Sequence, residues 1–170
     1  MTTYNAQALL IDSPEPVARA CRLPRFTVSL VRDGGVKAES PICDRPERAE
    51  ALLRPLIGSS DREHLVAILL DARQKVLGLN MVSMGTATAS LVHPREVFKP
   101  AILAGASAMI VAHNHPSGDW TPSPEDKDAT RRLQKAGELL GVPVLDHVII
   151  GQPSVEGGRG WYSFREAGLL

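Results

Sequence analysis

The sequence predicts an α/β domain, a mixed β-sheet flanked by helices, and three observations predict it. Two short runs, Leu65–Leu70 and Ala108–His113, are apolar almost throughout, as expected of strands buried on both faces. After Ser123, the apolar residues Leu133, Ala136, Leu139 and Leu140 recur at helical spacing and stop at Gly141. From Asp61 onward, strand-like and helix-like segments alternate, which is the order of a layered α/β structure.

Taken in order, Met1 to Pro24 is mixed in character and reads as a loosely docked arm. Phe26–Val31 alternates enough to predict a strand, turned by Asp33-Gly34-Gly35 into a second strand at Val36-Lys37-Ala38. Asp44 is placed to cap a helix with Pro46 and Glu47 in its first turn, running to about Leu56. These residues, 1–57, form an N-terminal extension, and the main domain spans 58–170. Within it, Leu65–Leu70 is a strand and Asp71-Ala72-Arg73-Gln74 turns it into a second, about Val76 to Met84. Ala87 to Val92 is a candidate third. His93-Pro94-Arg95-Glu96 opens a helix that reaches about Ala104 and stops at Gly105. Ala108 to His113 is the next buried strand, Ser123 starts the long helix, and Val142–Ile150 and Trp161–Phe164 are further strands.

Composition narrows the classes. A chain of 170 residues that is 44% hydrophobic can bury a real core in one domain. No run of 18 apolar residues predicts a membrane span, and Asp12 and Glu15 are wrong for a signal peptide. Cys21 and Cys43 lie outside any C-x-x-C motif, which predicts reduced thiols in a cytoplasmic protein. Lys plus Arg equals Asp plus Glu at 19 each, so no overall field draws nucleic acid or anionic membrane.

The chemistry concentrates in one stretch. His113-Asn114-His115-Pro116 ends the apolar strand, and seven residues from Pro116 to Pro122 lead to Ser123-Pro124-Glu125-Asp126. Side chains at i and i+2 of a strand leave the same face roughly 7 Å apart at their Cα atoms. Two imidazoles can therefore converge on one ion, with Asp126 closing the set. Two histidines and one carboxylate, with a fourth position for water, is the composition of an open, catalytic zinc site.

These residues carry a resemblance. The pattern Glu63 … His113-x-His115-x₇-Ser123-x₂-Asp126 resembles the JAMM motif of the JAB1/MPN/Mov34 metalloenzymes at every position. The wording His113-Asn114-His115-Pro116-Ser117-Gly118-Asp119, with Val92-His93-Pro94-Arg95-Glu96-Val97 and Leu145-Asp146-His147-Val148-Ile149-Ile150-Gly151, is similar to the bacterial RadC branch. The resemblance covers roughly Asp44 to Leu170. It implies a JAB1/MPN-like fold with cytidine-deaminase-like layering. It also implies that His113, His115 and Asp126 ligate Zn2+, that Glu63 is the general base, and that Ser123 donates a hydrogen bond to the oxyanion. The reaction class so implied is hydrolysis of an amide, in a peptide or isopeptide bond. Elementary chemistry is consistent with that division of labour: zinc lowers the pKa of bound water to roughly 7, and a nearby carboxylate can move the proton.

Plainer readings stand beside these. Ser123-Pro124-Glu125-Asp126 is also a helix start, with Ser at the N-cap, Pro at the first position and an acid at the third. Glu63 can be a solvated acid in Asp61-Arg62-Glu63-His64, and His64 faces the other side of its strand. Asp119 competes as an oxygen ligand but more often such a residue is a turn former. His147, within an apolar strand, competes as a nitrogen ligand or supports one from behind. Trp120 either lines a substrate groove or packs over its loop.

Longer RadC proteins carry a helix-hairpin-helix-like segment that suggests contact with DNA; the residues before Asp61 read here as a hairpin plus one helix. Three functions follow: a JAMM-type zinc metallopeptidase, a catalytically silent accessory module in DNA repair or mobile-element biology, and another zinc hydrolase. Intact Glu63 and Ser123 argue against a purely structural metal. The His-x-Glu and Pro-Cys-x-x-Cys elements of zinc deaminases are absent. A peptide or protein is the expected substrate, DNA is a partner the charge does not support, and Phe26–Val31 offers an edge for a homodimer.

Overall fold

The computed structural model describes residues 23–85, 92–153 and 158–170. Among the described residues, three helices, α1 (Pro46–Ile57), α2 (Pro94–Leu103) and α3 (Pro124–Leu140), pack against five strands: β1 (Glu63–Leu70), β2 (Val76–Gly85), β3 (Ala108–Asn114), β4 (Val144–Ile150) and β5 (Trp161–Ser163). The sheet is mixed and runs in the order β2-β1-β3-β4-β5. β1 is antiparallel to both β2 and β3, β3 is parallel to β4, and β4 is antiparallel to β5. The expected α/β architecture with a mixed sheet is therefore the observed one.

Alternation along the strands divides the core in two. Val66, Ile68 and Leu70 of β1 and Ile110 and Ala112 of β3 face α1, where Leu52, Leu53 and Ile57 cover them. Leu65, Ala67 and Leu69, with Met109 and Val111, face the opposite way and pack with Val97, Phe98 and Ala101 of α2 and Leu133 of α3. This parity decides the site. Glu63 and His113 continue the series that faces α2 and α3, whereas His64 and Asn114 continue the one that faces α1.

Helix ends follow local chemistry in two cases. α3 begins with a reciprocal capping box between Ser123 and Asp126 and ends at Gly141, whose φ of 69° is the left-handed conformation that glycine adopts without penalty. α2 begins with Pro94 at its first position and ends at Leu103, next to Ala104 and Gly105.

Elsewhere the structure corrects the sequence reading. Asp44 is not the cap of α1; the N-cap is Arg45, without a side-chain bond, and Asp44 instead pairs with Arg48 at 3.0 Å. α1, expected in a separate N-terminal extension, lies in the main core, with Leu53 wholly buried. Residues 26–31 and 36–38 form no strands. Phe26 and Val31 stand 82% and 86% exposed, so their side chains gain nothing from a sheet. A hairpin with no third strand or helix to cover it is marginal in water, and alternation by itself does not hold it. Ala87 to Leu91, nearly all of the expected third strand, and most of the first 24 residues lie outside the described residues. No helix among the described residues is long and apolar enough to cross a membrane.

Candidate metal centre

The end of β3 and the start of α3 build the site. β3 carries His113 next to its last residue, and the chain leaves the strand through His115, whose backbone N–H still donates to Ile150 O of β4 at 2.9 Å. α3 then enters with its N-terminus toward the two imidazoles. The parity of β1 brings Glu63 to the same face, one pair beyond Leu65, which sits opposite His113.

Asn114 closes the end of this ladder. Its side chain accepts from His64 N at 2.8 Å and donates to Arg62 O at 3.0 Å. The buried amide thus extends the β1–β3 pairing past the last regular pair and fixes Glu63 beside His113.

The converging donors are His113, His115 and Asp126, whose ligand atoms lie within 4.8 Å of one another. His113 Nε2 is 2.9 Å from His115 Nε2 and 3.2 Å from Asp126 Oδ1, and His115 Nε2 is 3.5 Å from Asp126 Oδ2. With metal–ligand bonds of roughly 2.0–2.1 Å, the edge of a tetrahedron is roughly 3.3 Å, so these separations suit one small ion. His113 and Asp126 are buried and His115 is half-buried, so such an ion would be shielded yet reachable.

Each of these donors is oriented from behind. His115 Nδ1 donates to the Asp119 carbonyl at 2.6 Å, which leaves His115 Nε2 turned to the cluster. Asp126 Oδ2 accepts from the Ser123 backbone N–H at 2.8 Å and from the Ser123 hydroxyl at 2.6 Å, and Oδ1 faces His113. His113 Nδ1 lies 2.9 Å from His147 Nε2, and His147 Nδ1 lies 2.6 Å from Thr130 Oγ1. His147 stacks on Phe164 at 4.9 Å between ring centroids.

The electrostatics are those of a donor set that wants a cation. Burial opposes the charge on Asp126, but the facing His113 and His115 imidazoles and the Ser123 hydroxyl outweigh it and hold the carboxyl far below the usual carboxylate range. The same bond to Asp126 pushes the His115 imidazole up, against the opposing effect of its burial. Burial raises Glu63 above its ordinary value, partly offset by the neighbouring His113 and His115. Burial drives His147 well down, so it is neutral.

The sequence-predicted residues fall as follows. His113, His115 and Asp126 converge, and Glu63 approaches them, 3.9 Å from His113 Nε2. Ser123 lies beside them but acts as a cap and as a donor to Asp126. Asp119 is a turn residue: its carboxylate accepts from Thr121 N at 2.8 Å, while its carbonyl orients His115. His147 stands behind His113 rather than in the cluster. Trp120 packs against Gly151, where an added Cβ would lie 3.0 Å from Trp120 Cβ. Asn114 and Thr130 were not singled out by sequence; a buried amide inside an apolar strand was the available signal for Asn114.

A RadC-like JAB domain matches residues 43–169 of this chain. The chain belongs to the RadC-like JAB domain family. UPF0758 proteins are similar to it: one from Rubrobacter xylanophilus is 46% identical over 130 residues, covering 76% of this chain and 54% of that protein. UPF0758 protein STH371 of Symbiobacterium thermophilum is 51% identical over 125 residues, 74% of this chain and 51% of the relative. A Thermotoga maritima UPF0758 protein is 52% identical over 110 residues, 65% of this chain and 47% of its own length. This RadC-like chain thus spans about half the length of the curated relatives it matches. The expected RadC and JAB/MPN membership is the observed one; the family match begins at residue 43 and so takes in α1, which the sequence reading places in the N-terminal extension.

Proposed function

We propose that this RadC-like chain is a zinc-dependent metallohydrolase of JAMM type that cleaves peptide or isopeptide bonds. One observation carries the reading: His113, His115 and Asp126 converge at tetrahedral separations with the Glu63 carboxylate beside them. A structural site would complete its fourth position with another protein ligand, whereas three donors converge here among the described residues. Zinc held there would supply a Lewis acid that makes water nucleophilic at neutral pH.

The residues divide the remaining work. Glu63 takes the proton from the attacking water and hands it to the leaving amine. Its place beside His113, 3.9 Å from Nε2, suits a group that must both accept and release a proton there. Ser123 holds Asp126 in place through two bonds to Oδ2 and, by turning its hydroxyl away from that oxygen, donates to the oxyanion. Asn114 keeps β1 registered so that Glu63 stays in reach.

The test is cleavage of a peptide library and of an isopeptide-linked substrate by the zinc-loaded protein, beside Glu63→Gln. Cleavage by the wild type, abolished by a chelator and lost in a Glu63→Gln variant that still holds zinc, is the expected result. Equal cleavage by Glu63→Gln would overturn the role of Glu63. A zinc-loaded wild type inert toward both substrate classes would overturn the peptidase reading.

A further inference from the structure

A single main-chain carbonyl decides the protonation pattern of the cluster. Thr130 Oγ1 lies 2.6 Å from Asp126 O, one turn earlier on α3, and 2.6 Å from His147 Nδ1. A carbonyl oxygen only accepts, and a threonine hydroxyl has one proton, so that proton goes to Asp126 O. Toward His147 the hydroxyl can then only accept, and His147 must carry its proton on Nδ1. A neutral imidazole with Nδ1–H has a bare Nε2. That nitrogen, 2.9 Å from His113 Nδ1, accepts from it. His113 therefore carries a proton on Nδ1 and turns an unshared pair on Nε2 toward His115 and Asp126.

We infer that Thr130 and His147 form a positioning relay that holds His113 in its metal-binding tautomer. The inference rests on the reading of His113, His115 and Asp126 as a metal site. Its logic is mirrored at His115, where the Asp119 carbonyl is likewise an acceptor only and reserves Nε2 for the ion. Two such nitrogens 2.9 Å apart repel unless a proton or a metal cation lies between them, so the relay makes the cluster favour positive charge at that point. The relay also ties the two halves of the site together. Asp126 would supply a carboxylate oxygen to the ion and, through its own backbone carbonyl, sets the tautomer of a histidine on β3. The whole path is buried: Thr130, His147 and His113 are each no more than 2% exposed, so water cannot supply a substitute donor or acceptor.

Removing the Thr130 hydroxyl while keeping its shape, in Thr130→Val, leaves His147 Nδ1–H without an acceptor. The proton then moves to Nε2, His147 donates to His113 Nδ1, and His113 must place its own proton on the metal-binding nitrogen. Thr130→Ser retains the hydroxyl and is the rescue.

The experiment has two readouts, neither of them activity. Long-range nitrogen–proton spectra of the metal-free protein, labelled in histidine, report which nitrogen of His147 and His113 is protonated. Competition against a chelator reports zinc affinity. The expected result is Nδ1–H on His147 in the wild type and Thr130→Ser, Nε2–H in Thr130→Val, and zinc binding about 10–100-fold weaker in Thr130→Val alone. Nε2–H on His147 in the wild type would overturn the relay, and that spectrum decides even where Thr130→Val does not fold. A folded Thr130→Val with wild-type zinc affinity would overturn it as well. A wild type that binds no zinc overturns the metal reading itself, whichever tautomer His147 shows.

Discussion

Replacing Ser123 with alanine removes one oxygen atom that makes two separate bonds. It accepts from the Asp126 backbone N–H at 3.1 Å, and it donates to Asp126 Oδ2 at 2.6 Å. Losing an N-cap side chain costs about 0.5–2 kcal/mol. A hydrogen bond to a charged group contributes about 1.5–3 kcal/mol. The two share an atom, so they do not add fully, and Oδ2 keeps its bond from the Ser123 backbone. A loss of about 2–3 kcal/mol follows for the metal-free protein, or about 4–12 °C in its unfolding midpoint at this chain length. Thermal unfolding in the presence of a chelator measures it, with Ser123→Thr expected to restore the midpoint. The same variant frees the Asp126 carboxylate to turn, so zinc affinity should fall about 10–100-fold. At saturating zinc any further loss of turnover reports the oxyanion role, where removing one donor costs about 100–1,000-fold in other enzymes. An unchanged midpoint in Ser123→Ala would refute the argument, because the hydroxyl would then hold neither helix nor ligand.

Further outcomes follow from the neighbouring groups. Asn114→Ala should lower stability by about 1–3 kcal/mol, since two bonds across β1 and β3 are lost. It should also reduce turnover more than zinc content, because Glu63 moves and the three ligands do not; parallel losses would assign Asn114 to the metal instead. The metal-free protein should be most stable near pH 6.5, the ordinary value from which both histidines depart. His115, raised above that value when folded, contributes stability fully present below pH 6.5 and lost as pH rises through its folded pKa. His147, lowered when folded, costs stability as pH falls below 6.5, where the unfolded chain takes up a proton that the native state refuses. Unfolding midpoints in a pH series with chelator check both limbs, and His115→Ala should flatten the alkaline one.

Much of this architecture is legible in the sequence because burial on both faces leaves a continuous apolar run. Leu65–Leu70 and Ala108–His113 show it, and the observed β1 and β3 contain both. α3 is equally legible, since Ser123, Pro124 and Gly141 mark its ends by local chemistry. The converging donors are visible for the same reason: two histidines one residue apart fall at the end of an apolar strand, and Asp126 falls at a helix start. Residues 26–38 mislead because alternation reports β-propensity, whereas a strand needs a partner that only the tertiary structure provides. Asp44 misleads because it can pair with Arg48 as readily as cap. The relay through Thr130 and His147 is invisible from sequence, because it joins residues of α3, β4 and β3 that meet only after β3 and β4 pair in parallel.

The most direct test of the account is the zinc content of the chain, measured by elemental mass spectrometry after dialysis, for the wild type beside Asp126→Ala. The account predicts one zinc per wild-type chain and little in the variant. A wild type that holds no zinc even after supplementation, or a variant that holds as much as the wild type, would contradict it.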